Sequence, residues 1–163
     1  MNRIYLIADT LLATMARPRG GDWLQDDLMS LKKREVTVLV CLLEKEEMYE
    51  LQLEEEANDC KKAGMEWIHF PIADFGLPTN EKMTNKLILQ LKEYVESGKK
   101  VVIHCRMGIG RSSTIAAATL VALGTHTTET AFEAITIERG LRVPDTQQQI
   151  DWVKRFEQWH ENF

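Results

Sequence analysis

The stretch Val101-Val102-Ile103-His104-Cys105-Arg106-Met107-Gly108-Ile109-Gly110-Arg111-Ser112-Ser113 decides how this chain folds around its site. Its first three residues form an apolar, β-branched run that is typical of a buried strand. Residues 114–120, which follow it, are small and apolar and predict a helix. We therefore predict a loop between a strand and a helix, with Cys105 and Arg111 six positions apart at its two ends.

Such a loop has the chemistry of an anion site. Consecutive backbone N–H groups in a tight loop bind anions, and the N-terminus of the following helix adds a partial positive charge. Gly108 and Gly110 permit a close approach of the backbone, and the planar fork of Arg111 can hold two phosphate oxygens. The same surroundings favour a thiolate at Cys105, and a thiolate beneath a bound phosphate is a nucleophile aimed at phosphorus.

Other interpretations of the loop fit less well. A lone cysteine at the end of a strand is usually a small buried hydrophobe, but that does not explain a cysteine, two glycines, an arginine and a serine together. A nucleotide-binding P-loop would need a glycine at Cys105 and a lysine at Arg111. A dinucleotide-binding loop would need a third glycine where Ser113 stands.

Composition bounds the classes of protein that the chain can be. The 163 residues are 44% hydrophobic and 28% charged, which predicts one globular domain over residues 1–163. No apolar run reaches the roughly 20 residues that span a bilayer, and the apolar start is too short for a signal peptide. We therefore expect a cytoplasmic monomer without stable membrane association.

Charge and cysteine content exclude further classes. A net charge of −5 argues against nucleic acid as the main partner. The three cysteines are too few for a disulfide framework and lack the spacing of a zinc site, so we expect neither metal nor organic cofactor.

Strand-like and helix-like segments alternate along the chain. This order predicts an α/β fold with a central, mostly parallel sheet flanked by helices. Ligands of such sheets bind outside the carboxyl ends of the strands, where Cys105 stands. The predicted strands cover residues 3–7, 11–16, 36–43, 66–71 and 100–104. The predicted helices cover residues 23–35 after an N-cap at Asp22, 44–62 in one or two pieces ending at Gly64, 81–96, 111–123, 128–139 and 146–162.

The motif His-Cys-x-x-Gly-x-Gly-Arg-Ser at residues 104–112 resembles the signature of cysteine-dependent protein tyrosine and dual-specificity phosphatases. The likeness is greatest to the compact type, which includes kinase-associated phosphatases and small bacterial tyrosine-phosphatase-like proteins. It implies their three-layer architecture and a phosphocysteine intermediate at Cys105. Arg111 would bind phosphate and stabilise the transition state, Ser112 would assist the departing sulfur, and His104 would orient the loop. The substrate-binding residues would be Arg106, Met107, Gly108, Ile109, Gly110 and Arg111.

Two further segments complete the resemblance. Residues 71–78, Pro-Ile-Ala-Asp-Phe-Gly-Leu-Pro, are similar to the general-acid loop of the small dual-specificity group. Asp74 would donate a proton to the leaving oxygen and then act as base toward water, although an aspartate that caps a turn is a common alternative. Residues 146–149 resemble the family's Thr-x-x-Gln segment, which selects Gln149 to position water. A plain polar helix start is the alternative for Gln149.

Cys41 comes directly after Val40, near the end of the strand predicted over residues 36–43. In some relatives a cysteine at a similar strand end forms a protective disulfide with the nucleophile, and a thiolate near a second thiol suits that chemistry. A buried core cysteine is the competing interpretation.

The function predicted from these residues is metal-free hydrolysis of phosphate monoesters. Phosphotyrosine in proteins is the first choice of substrate, with phosphoserine and phosphothreonine next. The alternatives are a phosphatase for phosphoinositides or another small phosphate ester, a non-catalytic phospho-binding module, and a redox sensor that uses Cys41 and Cys105. The presence of Cys105, Asp74 and Arg111 together disfavours the non-catalytic module, which typically lacks one of them.

Overall fold

The computed structural model describes residues 3–160. The predicted domain, residues 1–163, extends beyond this range at both ends. The last two residues of the helix predicted over 146–162 also lie outside the described residues.

The described residues form one five-stranded sheet with β5 at its centre. The spatial order is β1-β2-β5-β3-β4, and only the short edge strand β1 runs antiparallel to its neighbour. The prediction of a mostly parallel α/β sheet is therefore confirmed. The strands are β1 (Tyr5–Leu6), β2 (Leu12–Met15), β3 (Val36–Cys41), β4 (Glu66–His69) and β5 (Lys100–His104).

Seven α-helices flank this sheet within the described part of the chain. They are α1 (Leu24–Lys33), α2 (Lys45–Glu50), α3 (Glu56–Ala63), α4 (Glu81–Glu96), α5 (Arg111–Ala122), α6 (Thr128–Arg139) and α7 (Gln147–His160). The charged segment predicted over residues 44–62 forms two helices, α2 and α3. Gly64 ends α3 at φ +78°, in the left-handed region that favours glycine, as predicted.

The prediction for the start of α1 was wrong. Gly21–Trp23 forms a single 3-10 turn, and α1 begins only at Leu24. Asp22 lies inside that turn and is therefore not an N-cap. The N–H of Gly21 donates to the carbonyl of Gln52 at 2.9 Å and holds the chain in this turn. Gln52 is remote in sequence, so local sequence does not predict the contact.

The sheet separates two hydrophobic cores, which gives a three-layer architecture. Helices α1 and α3 pack on one face, and α4 to α7 pack on the other. Every residue of α5 is buried, because this helix lies between the sheet and α4, α6 and α7. Burial fixes the direction of α5 and therefore where its N-terminus points. No helix in residues 3–160 is long and apolar enough to cross a membrane.

Candidate active site

Cys105 lies at the carboxyl end of the central strand β5, between that strand and the N-terminus of α5. The residue is 3% exposed, and its Sγ lies 3.3 Å from the Oγ of Ser112 in the first turn of α5. The sulfur therefore lies where the unsatisfied N–H groups of a buried helix carry partial positive charge.

The loop that follows Cys105 turns three carbonyls away from its centre. The N–H of Arg17 donates to the carbonyl of Arg106 at 3.2 Å. The guanidinium of Arg139 donates to the carbonyls of Met107 and Gly108 at 3.1 and 3.2 Å. Because a trans peptide points its N–H opposite to its carbonyl, the N–H groups of the three following residues face the other side. That orientation suits the binding of an anion.

Close approach and backbone angle require glycine at position 108 of the loop. Gly108 has φ +71°, and a Cβ there would lie 2.7 Å from the backbone of Met15 and Ala16. A Cβ on Gly110 would collide with the carboxylate of Asp145. The tight contact of Gly108 is with the end of β2. The close approach of both glycines to a bound phosphate stays a prediction.

Arg111 is 2% exposed, and its guanidinium is held by two acidic residues. Its two terminal nitrogens donate to the two carboxylate oxygens of Glu47, at 2.7 and 2.9 Å. They also donate to the carbonyl of Ile72 at 2.9 Å and to Oδ1 of Asp74 at 3.0 Å. Burial alone would lower the pKa of Arg111, but the bond to Glu47 raises it above its usual value. The guanidinium is thus fixed in one plane at the loop.

Glu47, in α2, is a site residue that the sequence did not reveal. Its carboxylate also accepts the N–H of Glu44 at 2.9 Å, and its Oε1 lies 3.8 Å from Arg106. Burial would raise the pKa of Glu47, but the two bonds from Arg111 lower it below its usual range. The glutamate three residues after Glu44 indicates a capped helix start, but nothing local shows that it meets an arginine 64 residues away.

Asp74 and Gln149 both lie beside the loop. Their roles as general acid and water-positioning residue stay predictions. The side chain of Asp74 is 44% exposed, and its Oδ1 accepts the N–H of Phe75 at 3.1 Å in addition to the bond from Arg111. Gln149 is fully buried and donates from Nε2 to the carbonyl of Gly76 at 3.2 Å. Gln149 therefore connects the start of α7 to the loop that carries Asp74.

Asp145 is a second carboxylate at the site that the sequence did not single out. Burial, followed by the nearby charge of Asp74, raises the pKa of Asp145, while Arg111 opposes the shift. Asp and Thr are common capping residues before a helix. The segment Pro144-Asp145-Thr146 therefore gave no local indication that Asp145 lies at the site.

Beneath the loop, His104 forms a fully buried ion pair with Glu56. Its Nε2 lies 2.6 Å from Oε1 of Glu56, and its Nδ1 lies 3.1 Å from the carbonyl oxygen of Cys105. Two oxygen acceptors fit an imidazolium that donates from both nitrogens. Burial would lower the pKa of His104, but the carboxylate of Glu56 raises it well above its usual value. Trp67 donates to the same carboxylate oxygen at 3.0 Å.

Cys41 lies against this ion pair. Its Sγ, a carboxylate oxygen of Glu56 and a ring nitrogen of His104 are within 4.8 Å of one another, the one group of three potential metal ligands in the described part of the chain. Cys41 packs in the core beneath α1 and α3, whereas Cys105 packs in the core on the opposite face. The disulfide between these cysteines stays a prediction.

Replacing Glu56 with glutamine is expected to destabilise the protein by about 3 kcal/mol, because a buried cation loses its charged partner. A histidine whose pKa is raised by folding stabilises the folded protein. Its full contribution is present below the pKa of histidine in the unfolded chain, about 6.5. That contribution is lost as pH rises through the raised folded pKa. Urea unfolding of the wild-type protein should therefore show stability that falls above about pH 6.5, and Glu56→Gln should flatten this dependence.

The matched control for this prediction is Glu55→Gln, which changes an exposed carboxylate next to Glu56 that bonds Asn58. This variant should keep wild-type stability and its pH dependence. Equal losses in both variants would contradict the assignment of the effect to the buried pair.

Comparisons with known proteins agree with this architecture. The family model described as "Tc-R-P: Polymorphic toxin system, DSP-PTPase phosphatase" matches residues 13–125. A mouse protein named phosphatidylglycerophosphatase and protein-tyrosine phosphatase 1 is 32% identical over 61% of this chain and 51% of its own length. The chain thus spans about half the length of this relative.

Two solved structures are similar over nearly the whole chain. A kinase-associated phosphatase with serine in place of its catalytic cysteine has a TM-score of 0.89 and 22% identity, covering 99% of this chain and 97% of its own. Tk-PTP in its active form has a TM-score of 0.78 and 28% identity, covering 95% and 96%.

The fold and the loop define a compact phosphatase domain of the cysteine-dependent, dual-specificity type. The family match extends over well more than half of the chain. The chain therefore belongs to the DSP-PTPase phosphatase family.

Proposed function

We propose that this protein hydrolyses phosphotyrosine in proteins, and also phosphoserine or phosphothreonine, through a phosphocysteine intermediate. The observation that carries the proposal is the loop after β5. It places the Cys105 sulfur at the N-terminus of α5, turns its carbonyls outward and closes with the guanidinium of Arg111. These features suit a doubly negative ester above a nucleophilic sulfur.

In the first half-reaction the thiolate of Cys105 attacks phosphorus. A sulfur–phosphorus bond forms, the ester oxygen–phosphorus bond breaks, and protonated Asp74 gives its proton to the leaving oxygen. Arg111 and the amides of residues 106–111 bind the equatorial oxygens, which carry the charge of the transition state. In the second half-reaction the water oxygen bonds to phosphorus, the phosphorus–sulfur bond breaks, and Asp74, now deprotonated, accepts the proton of the water that Gln149 positions. Ser112, 3.3 Å from the sulfur, stabilises the departing thiolate.

Substrate binding requires an exchange of partners at Arg111. In the structure, Asp74 and Glu47 both accept hydrogen bonds from the guanidinium. A phosphate dianion competes with the single bond to Asp74 more easily than with the two bonds to Glu47. Glu47 therefore keeps the fork oriented, while Asp74 is released toward the leaving oxygen.

Asp74→Asn is expected to slow turnover by roughly 10²-fold or more for an alkyl or phenyl phosphate, the range of a lost general acid. The loss should shrink for p-nitrophenyl phosphate, since its acidic leaving group needs less protonation. The measurement is steady-state kcat for a series of aryl phosphates whose leaving groups differ in pKa. The slope of log kcat against leaving-group pKa should be steeper in Asp74→Asn than in the wild-type protein.

Asp151→Asn, which removes a carboxylate from α7 outside the site, is the control and should keep the wild-type slope. A loss in Asp74→Asn that is equal for all leaving groups would remove Asp74 from the acid role.

The choice of a phosphoprotein is supported by the rim of the site. Met107 and Phe75 are 60% and 62% exposed beside the loop and can contact an aromatic ring. Ile109 is apolar and Arg106 faces Glu47, so the loop adds little free positive charge for a multiply phosphorylated headgroup. The name of the mouse relative favours the second candidate, a phosphatase for a lipid or other small phosphate ester.

The test is phosphate release from four purified substrate classes at equal concentration, in the presence of chelator. These are a phosphotyrosine peptide, phosphoserine and phosphothreonine peptides, a phosphoinositide and a nucleotide. Highest kcat/KM on the phosphotyrosine peptide would support the proposal, and preference for the phosphoinositide would replace it with the second candidate. Tight binding of phosphopeptide without any release would favour a non-catalytic module.

We place this activity in the cytoplasm, as a monomer without a nucleic acid partner or stable membrane association. A nucleophilic cysteine is kept reduced in that compartment, and the described cysteines Cys41, Cys60 and Cys105 are free thiols.

A further inference from the structure

Glu56, in α3, is a fully buried carboxylate on the face of the sheet opposite α5. Its Oε1 lies 2.6 Å from Nε2 of His104 and accepts the indole N–H of Trp67 at 3.0 Å. Its Oε2 is buried and has no hydrogen-bond partner among the described residues. A buried ion pair is no more stabilising than apolar side chains of the same volume, so stability alone does not explain why a charge lies here.

His104 connects this carboxylate to the residue that carries the nucleophile. Its Nε2 faces Glu56, and its Nδ1 lies 3.1 Å from the carbonyl oxygen of Cys105. A neutral imidazole has a single N–H, so one of these two contacts would set a lone pair against an oxygen. Only the imidazolium donates to both oxygens, and it leaves no lone pair for a metal ion. The carboxylate of Glu56 favours that charged form.

The positive end of this ion pair faces the phosphate-binding loop. The titratable groups that face the imidazolium are Glu56 from α3, Cys41 from β3 and Cys105 beside it. Glu56 bonds the ring nitrogen that is not directed at Cys105, so the cation is the nearer of the two charges to the loop. Arg111 is the second cation near the sulfur. A cation beside a thiol favours the thiolate, and salt screens a buried charge only weakly.

We propose that Glu56 is a positioning residue for the nucleophile. It holds His104 as an imidazolium, and the imidazolium fixes the start of the loop and favours the thiolate of Cys105. This rests on the proposed function. Glu56 contacts neither the substrate nor the sulfur, and it exchanges no proton during turnover, so it acts only through His104.

The test is Glu56→Gln, which keeps the shape of the side chain and removes its charge. His104 should then be neutral, and the thiolate of Cys105 loses one of its two stabilising cations. Alkylation of Cys105 by iodoacetamide, located by mass spectrometry, should slow roughly tenfold or more at about pH 6. At about pH 9 the thiolate forms without this help, and the rate should equal that of the wild-type protein. The acid limb of kcat/KM for p-nitrophenyl phosphate should move to higher pH to the same extent.

Two controls separate charge from packing, each assayed below its thermal unfolding transition. Trp67→Phe removes a hydrogen bond to the same carboxylate oxygen but keeps the carboxylate, and Glu55→Gln changes the exposed neighbour. Both should keep the wild-type pH profile. A wild-type profile in folded Glu56→Gln, or a loss of the same size at every pH, would overturn the role of Glu56. An equal shift in Trp67→Phe would also overturn it, because packing would then account for the effect.

A measurement on the wild-type protein decides the proposal even where Glu56→Gln does not fold. NMR of protein labelled with ¹⁵N-histidine should find both ring nitrogens of His104 protonated at about pH 7. Replacing the other three histidines one at a time assigns its signal. A neutral His104 would overturn the proposal. Failure of the wild-type protein to release phosphate from any of the four substrate classes would instead overturn the proposed function, and the alkylation and NMR results would still decide the role of Glu56.

Discussion

Cys105→Ser is expected to abolish phosphate release, with kcat reduced roughly 10⁴-fold or more, as when the nucleophile of a covalent mechanism is removed. The hydroxyl is the same shape as the thiol, so the loop and its anion cradle should persist. It does not ionise near neutral pH, and no phosphoenzyme can form. The variant should therefore still bind phosphotyrosine peptide, measured by calorimetry, while release from p-nitrophenyl phosphate disappears.

Cys60→Ser provides the matched control for this change. Cys60 is a buried thiol in α3 whose pKa is raised by burial, and it does not contribute to the loop. The Cys60→Ser variant should retain wild-type activity at temperatures below its thermal unfolding transition. Full activity in Cys105→Ser would end the covalent mechanism.

Arg111→Lys is expected to lower kcat/KM on the order of 10³-fold, about 4 kcal/mol of transition-state stabilisation. An ammonium keeps the charge but cannot bond two phosphate oxygens in one plane. It also cannot match the two oxygens of Glu47, which bond the guanidinium at 2.7 and 2.9 Å. Both kcat and the affinity for inorganic phosphate should fall, measured by initial rates and product inhibition.

Arg155→Lys, at an exposed position of α7, is the control for the loss of an arginine. It should keep wild-type kinetics. If Arg111→Lys retained more than about half of the wild-type kcat/KM, positive charge alone would account for the role of Arg111, and the bidentate argument would fail.

The elements of the fold could be predicted where local pattern and tertiary environment agree. The bounds of β5, α4 and α6 match the sequence prediction, because apolar periodicity and capping residues act over one or two turns. The start of α1 could not be predicted, since the 3-10 turn before it depends on Gln52, which is remote in sequence.

The site divides in the same way. Cys105, Arg111 and Ser112 are brought together by one short loop, so their spacing in the sequence already implies their proximity. Glu47, Glu56, Arg139 and Asp145 reach the loop from other elements, and each has an ordinary local explanation as a surface or capping residue. Only the packing of those elements on the sheet reveals that they face the loop.

The order of residues alone determined that a cysteine and an arginine share a glycine-bearing loop at the carboxyl end of a buried strand. Once the strand and the helix form, the short loop between them places Cys105 and Arg111 at the N-terminus of the helix. The tertiary structure alone decided which carboxylates meet the guanidinium of Arg111 and which carboxylate pairs with the imidazolium of His104. Those partners are separated by tens of residues, and electrostatic pairing carries no signature in local sequence until the chain has folded.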